Sequence, residues 1–114
     1  MYKKYEKVFG SFEIENSEYF NKLANIFLSV YDLSFNELKN LDDYSIKRFF
    51  IYVMIKISNI PIEILAARLE VTFSEISNSY KLYLKFFKNT NKNLLISTLY
   101  NNYIYIKKQF NKSK

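Results

Sequence analysis

The sequence predicts an all-α protein of one domain, built from about five to six helices. Three observations lead to this prediction. Glycine and proline occur once each, at Gly10 and Pro61, which is too few for the turns of an all-β sandwich or barrel. Apolar residues, 49% of the 114, recur at the spacing of amphipathic helices. We find no segment that alternates apolar and polar residues as a half-buried strand does.

The chain begins with a predicted N-terminal extension, residues 1–16, which contains a short helix over Tyr2–Phe9. Gly10 is expected to stop that helix. Asn16-Ser17 offers an N-cap for the next helix, because these side chains accept hydrogen bonds from the first unpaired backbone N–H groups. Apolar residues at helical spacing continue this helix to Tyr31.

The predicted helical core, residues 17–58, contains two more helices. Ser34 and Glu37 form a capping box, in which each side chain accepts from the backbone N–H of the other, so a short helix is expected there. The segment Tyr44–Ser58 follows a predicted cap at Asp42-Asp43 and is apolar around most of its circumference. This pattern predicts the helix at the centre of the core.

Residues 59–88 predict a helix-turn-helix. Its first helix, Pro61–Leu69, begins at a proline, which suits the first turn of a helix. Thr72 and Glu75 form a second capping box, and the helix that they begin continues to Lys88. Two helices joined by so short a turn cross steeply and expose the start of the second one.

A final helix is predicted over residues 92–110, after the polar linker 89–91. Residues 111–114 are expected to fray as a tail. The side chains predicted to face inward from this helix are Leu95, Leu99, Tyr103 and Ile106.

Positive charge is concentrated in the C-terminal third of the chain. Residues 1–75 carry 9 basic and 11 acidic side chains, whereas residues 76–114 carry 8 lysines and no acidic residue. A block of side chains with charges of one sign, here positive, is typical of a surface that faces phosphates. The alternative, a solubilising charge on a protein with some other partner, stays open at this point.

The composition excludes several classes of function. The chain has no Cys and no His, which removes thiol and histidine catalysis and the usual zinc sites. Glu63, Glu70 and Glu75 fit caps and solvated surfaces better than acid–base chemistry. We therefore predict a protein that is not an enzyme and uses no cofactor, metal or small-molecule substrate. Without an apolar run of about 18 residues or a signal-like start, we expect no membrane association and a cytoplasmic location.

The exposed start of the second helix-turn-helix helix supplies the candidate DNA contacts. Serine and asparagine suit base edges or phosphates, and lysine suits phosphates. The candidate DNA-binding residues are Phe73, Ser74, Ser77, Asn78, Lys81, Lys85, Lys88, Lys92, Lys47 and Arg48.

Leu33–Leu38 has the pattern apolar-Ser-x-x-x-Leu. A long apolar helix, a short helix that begins near Pro61, a helix-turn-helix and a final helix follow it. This order, over roughly residues 20–108, resembles the C-terminal DNA-binding domain of the bacterial replication initiator DnaA. The resemblance implies an all-α domain whose recognition helix lies in the major groove of DNA.

The sequence departs from that family at the positions that read DNA. Val71–Ile76 stands where the family has R-D-H-[ST]-T-V, and only Ser74 and Ile76 match in type. Asn40–Asp43 replaces a basic loop, and we find no glycine-rich phosphate loop in the chain. The resemblance therefore implies a stand-alone domain, such as a small regulator of a phage or mobile element, and not an initiator.

The competing hypothesis is a protein-interaction module on the same scaffold, either a homodimer or an inhibitor of a host protein complex. Exposed aromatic side chains are typical of such interfaces. The loss of the family signature favours this hypothesis, and the charge asymmetry opposes it. The candidate interface residues are Phe73, Tyr100, Tyr103 and Tyr105.

Overall fold

The computed structural model describes residues 10–41, 44–88 and 93–112, and the described residues form six helices without a strand. The all-α prediction is confirmed. The predicted helix over Tyr2–Phe9, the cap at Asp42-Asp43, the linker 89–91 and Lys92 lie outside the described residues. The helices are α1 (Gly10–Tyr31), α2 (Phe35–Lys39), α3 (Tyr44–Ser58), α4 (Ile62–Leu69), α5 (Phe73–Lys88) and α6 (Leu94–Lys112).

Helix α3 lies at the centre of the molecule, as its sequence predicts. All residues of Phe49–Met54 are at most 4% exposed. Consecutive residues of a helix point in all directions around its axis, so this burial requires neighbours on every side. Helices α1, α5 and α6 provide them. The ring centroids of Phe27 in α1 and Phe50 lie 5.0 Å apart.

Helix α5 packs on α3 through aromatic side chains. Around Tyr52, the ring centroids of Tyr80, Tyr83 and Phe87 lie 5.7, 6.0 and 5.2 Å away. The Tyr83 hydroxyl donates to the carbonyl of Ser45 at 2.9 Å. Burial raises the pKa of the Tyr52 hydroxyl well above its usual value. These contacts fix which face of α5 points inward and which points outward.

The predicted helix starts at α2 and α5 are confirmed by hydrogen bonds. Ser34 Oγ accepts from the Glu37 N–H at 3.1 Å, and Glu37 Oε1 accepts from the Ser34 N–H at 2.9 Å. Thr72 Oγ1 accepts from the Glu75 N–H at 3.1 Å. Pro61 takes the N-cap position of α4, one residue before its first turn. Side-chain caps of this kind contribute about 1 kcal/mol each.

The N-terminal boundary of α1 differs from the prediction. The predicted cap at Asn16-Ser17 is wrong, because α1 runs unbroken from Gly10 to Tyr31. A preference for capping residues is worth only about 1 kcal/mol. Continuing backbone hydrogen bonds outweigh it in a segment that has no proline to remove a donor. Asn and Ser are thus tolerated inside this helix.

The first turn of α6 also differs from the prediction. Leu95 was expected to face inward but is 63% exposed. Helix α6 packs along α1, which ends at Tyr31, where the Tyr31 hydroxyl accepts from Asn102 Nδ2 at 3.0 Å. Leu95 is the second residue of α6 and lies one turn before the buried Leu99, so it has the inward register but belongs to the exposed first turn of the helix. Helix α6 ends at Lys112, two residues beyond the predicted end at residue 110; residues 113–114 of the predicted tail lie outside the described residues.

Replacing a core phenylalanine should destabilise the protein far more than replacing a surface one. We expect Phe49→Ala to lower the free energy of unfolding by about 3–5 kcal/mol, because Phe49 is fully buried. Phe73→Ala should change it by less than about 0.5 kcal/mol, because Phe73 is 59% exposed. Urea unfolding followed by circular dichroism measures both. Equal effects would contradict this assignment of core and surface.

Candidate nucleic-acid interface

One face of α5 points outward and carries Ser74, Asn78, Lys81, Lys85 and Lys88. All five are exposed. They are spaced alternately four and three residues apart, so at 3.6 residues per turn they lie within an arc of about 80°. The buried side chains of α5 lie on the opposite side, against α3. We call these five residues the basic face; it extends for about 21 Å along the helix at a rise of 1.5 Å per residue.

The basic face carries positive charge only. Its lysines occupy positions i, i+4 and i+7, and like charges at such spacings destabilise a helix by about 0.2–0.5 kcal/mol per pair. The acidic residue of α5, Glu75, is half-buried in its first turn and lies beside the face. This arrangement therefore favours an anionic partner, which would relieve the repulsion between the lysines.

The connection between α4 and α5 is tied to the rest of the molecule through Lys39. Glu70 adopts a left-handed conformation with φ 58° and ψ 46°, and the Val71 N–H donates to the Ala66 carbonyl at 3.1 Å. The Glu70 carboxylate pairs with Lys39 Nζ at 2.9 Å. This hydrogen bond lowers the pKa of Glu70 below its usual value of 4.5. An ion pair at the surface therefore links the turn before α5 to the last residue of α2.

The structure leaves most of the predicted DNA contacts at the surface but corrects Lys47. Lys47 is 6% exposed, and its Nζ donates to the Lys39 carbonyl at 2.9 Å. Its ammonium supports the chain beside the Glu70 ion pair, so we remove it from the candidate contacts. Ser77 is half-buried, Arg48 is exposed on α3, and the other described candidates, Phe73, Ser74, Asn78, Lys81, Lys85 and Lys88, are exposed on α5.

The predicted aromatic interface is reduced to two residues. Tyr103 is 6% exposed, with its ring centroid 5.6 Å from that of Tyr52, so its assignment to an interface is corrected. Tyr100 is half-buried and its ring lies 5.3 Å from that of Phe87. Phe73 and Tyr105 remain exposed, at 59% and 53%. They belong to different helices, α5 and α6.

A cleft beside the basic face was not predicted from the sequence. It has a volume of about 310 Å³ and lies between the α3–α4 connection and the middle of α5. Ser77 and Lys81 line it together with Ile62. Ile62, the first residue of α4, is exposed although it is apolar. The helical spacing alone did not show which residues of α3 lie opposite it.

Other classes of site are not evident in the part of the chain that the structure describes. Residues 10–41, 44–88 and 93–112 hold no cluster of three acidic, His or Cys side chains suited to a metal ion. Among the same residues, no helix has the length and apolar character needed to cross a bilayer. No protein-family model matches the chain, and no curated protein or solved structure matches it.

The Glu70–Lys39 pair predicts how the Glu70 carboxyl titrates. We expect Glu70 to titrate below 4.5, and Lys39→Met to move its pKa back toward that value because the hydrogen bond and the positive charge are lost. A group whose pKa is lowered by folding stabilises the fold at higher pH. The contribution of this pair is therefore lost as the pH falls through the lowered pKa.

A ¹³C NMR titration of the glutamate carboxyls measures this pKa directly. Lys107→Met, a loss of one lysine on α6, serves as the matched control and should leave Glu70 unchanged. Titration of Glu70 at its usual value in the unmodified protein would show that the ion pair does not form in solution.

Proposed function

We propose that the protein binds double-stranded DNA without catalysing a reaction, with α4 and α5 as a helix-turn-helix and α5 as the recognition helix. The observation that carries this proposal is the basic face, which places two hydrogen-bonding side chains and three lysines in one exposed arc of α5. A recognition helix needs such a polar face, unobstructed and positively charged, opposite a well-packed apolar one.

The side chains change in character along the basic face. Ser74 and Asn78 lie in the first half of α5 and can both donate and accept hydrogen bonds, and asparagine pairs with two atoms of adenine in the major groove. Lys81, Lys85 and Lys88 follow and suit phosphate oxygens. We therefore orient α5 with its N-terminal half in the groove and its C-terminal half along the phosphate backbone.

The packing of α5 supports this function because a reading helix must be held rigidly. Tyr80, Tyr83 and Phe87 fix α5 on α3, and the Glu70–Lys39 ion pair links the turn before α5 to α2. Little ordering entropy would then be lost on binding, which leaves more of the contact energy as affinity.

The resemblance to the initiator's C-terminal domain remains a prediction, and it is compatible with this proposal. We propose, on the same basis, that the protein acts in the cytoplasm as a small regulator of the kind that phages and mobile elements carry. The altered positions Phe73 and Glu75 mean that its DNA site would differ from the one that the family reads.

The second candidate function is binding to another protein, and the exposure of Phe73 favours it. A phenylalanine ring that is 59% exposed at the start of a helix is a typical anchor for an interface. A partner would combine an apolar pocket for this ring with acidic residues opposite Lys81 and Lys85. No binding to a duplex at low ionic strength, with capture of a protein partner that Phe73→Ala abolishes, would favour this function.

Reversing charges on the basic face should abolish DNA binding. We expect the double variant Lys81→Glu, Lys85→Glu to bind a generic duplex at least about 100-fold more weakly, because two phosphate contacts become repulsive. Fluorescence anisotropy of a labelled duplex measures the affinity, and circular dichroism should show unchanged helicity.

The matched control is Lys107→Glu, Lys108→Glu, which makes the same change in net charge at two exposed residues of α6. We expect it to weaken binding by less than about tenfold, through the overall field alone. Equal losses in both variants would mean that only total charge matters and that the basic face is not the binding surface.

A further inference from the structure

The cleft beside the basic face combines apolar walls with one positively charged rim. Side chains from α3, the α3–α4 connection and α4 form one wall, and α5 forms the other. The volume of about 310 Å³ lies at the lower end of the range of small-molecule sites. The lining residues that matter here are the apolar Ile55, Ile60, Ile62 and Tyr80 and the polar Ser77 and Lys81.

The walls of the cleft are fixed by the local backbone and by stacking. Asn59, directly after α3, has φ 51°, and Pro61, the N-cap residue of α4, has φ −59°. Between them Ile60 is buried, so the chain turns sharply and brings Ile62 to the rim. On the other side, Tyr80 is stacked on Tyr52 with an interplanar angle of 25°. The cleft is therefore preformed, and a ligand would not have to open it.

The polar groups of the cleft define the ligand chemistry. Lys81 is the charged residue among those that line it, and none of the lining residues is acidic. Ser77 adds a hydroxyl that can donate a hydrogen bond. A volume at the lower end of the range suits a small ligand. An apolar chain that ends in an anion matches both the walls and the rim.

We propose that this cleft binds a small aliphatic carboxylate. Its chain packs between Ile55, Ile62 and Tyr80, and its carboxylate accepts hydrogen bonds from Lys81 Nζ and Ser77 Oγ. Because Ser77 and Lys81 are also candidate DNA contacts, the ligand competes with phosphate for Lys81. The competition with DNA rests on the proposed function, whereas binding of the carboxylate does not.

Hexanoate and hexanamide are the matched probes, since they have the same number of non-hydrogen atoms and differ in charge. A ¹H–¹⁵N NMR titration of the full chain should show saturable shifts at residues 55, 59, 60, 62, 77, 80 and 81 with hexanoate. For a ligand of this size we expect a dissociation constant of about 1 mM. Hexanamide should bind at least about threefold more weakly because it lacks the charge.

Two variants test separately how the charged rim and the apolar wall contribute to binding. Lys81→Gln should make hexanoate bind no better than hexanamide, whereas the control Lys107→Gln, on α6, should preserve the difference. Ile62→Ser should weaken the binding of both probes.

Equal affinity for the two probes in the unmodified protein, or shifts that do not saturate, would overturn the proposal. Shifts at these residues that grow with protein concentration alone would assign the cleft to a second copy of the chain and would also overturn it.

Competition with DNA is measured separately by anisotropy of a labelled duplex. Hexanoate should weaken duplex binding more than hexanamide does at equal ionic strength. If hexanoate binds the cleft but the protein binds no duplex, the proposed function fails and the ligand site stands. If the duplex binds and hexanoate does not, the ligand site fails and the proposed function stands.

Discussion

The complete burial of the middle of α3 is the constraint on which the rest of the structure depends. Phe49–Met54 is buried on every side, so the other long helices must surround α3 and each must turn its apolar face toward it. Helix α5 meets this requirement with an aromatic face that includes Tyr83 and Phe87. Its lysines, together with Ser74 and Asn78, are therefore directed outward. The basic face follows from the way in which α3 is buried.

The parts of the fold that depend on local interactions could be predicted from the sequence. The capping box of Ser34 and Glu37 involves residues three apart, and the bounds of α3, Tyr44–Ser58, follow from one continuous apolar pattern. Apart from the cap at Asn16-Ser17, the errors occurred where long-range packing decides. Leu95 has the inward register of α6 but is exposed in its first turn, and a helical pattern holds no information about which of its positions the neighbouring helices cover.

In the candidate site too, the positions set by a single helix could be predicted, and those set by contacts between helices could not. The outward positions of Ser74, Asn78 and Lys81 follow from the register of one helix once its buried side is known. Lys47 and Tyr103 could not be placed in that way. Lys47 is buried because the Lys39 carbonyl of α2 lies within reach of its ammonium, and Tyr103 because Tyr52 of α3 lies opposite. Each of these two contacts joins different helices, which are either distant in sequence or separated by a turn.

The measurement that tests the central claim most directly is the salt dependence of binding to a generic labelled duplex. If Lys81, Lys85 and Lys88 contact phosphates, binding releases about one condensed counterion at each. The logarithm of the affinity should then fall with the logarithm of the salt concentration with a slope of about −3, at −0.9 for each contact. Anisotropy titrations between about 50 and 200 mM salt cover the useful range. No binding at the lowest salt, or an affinity that salt leaves unchanged, would contradict the account.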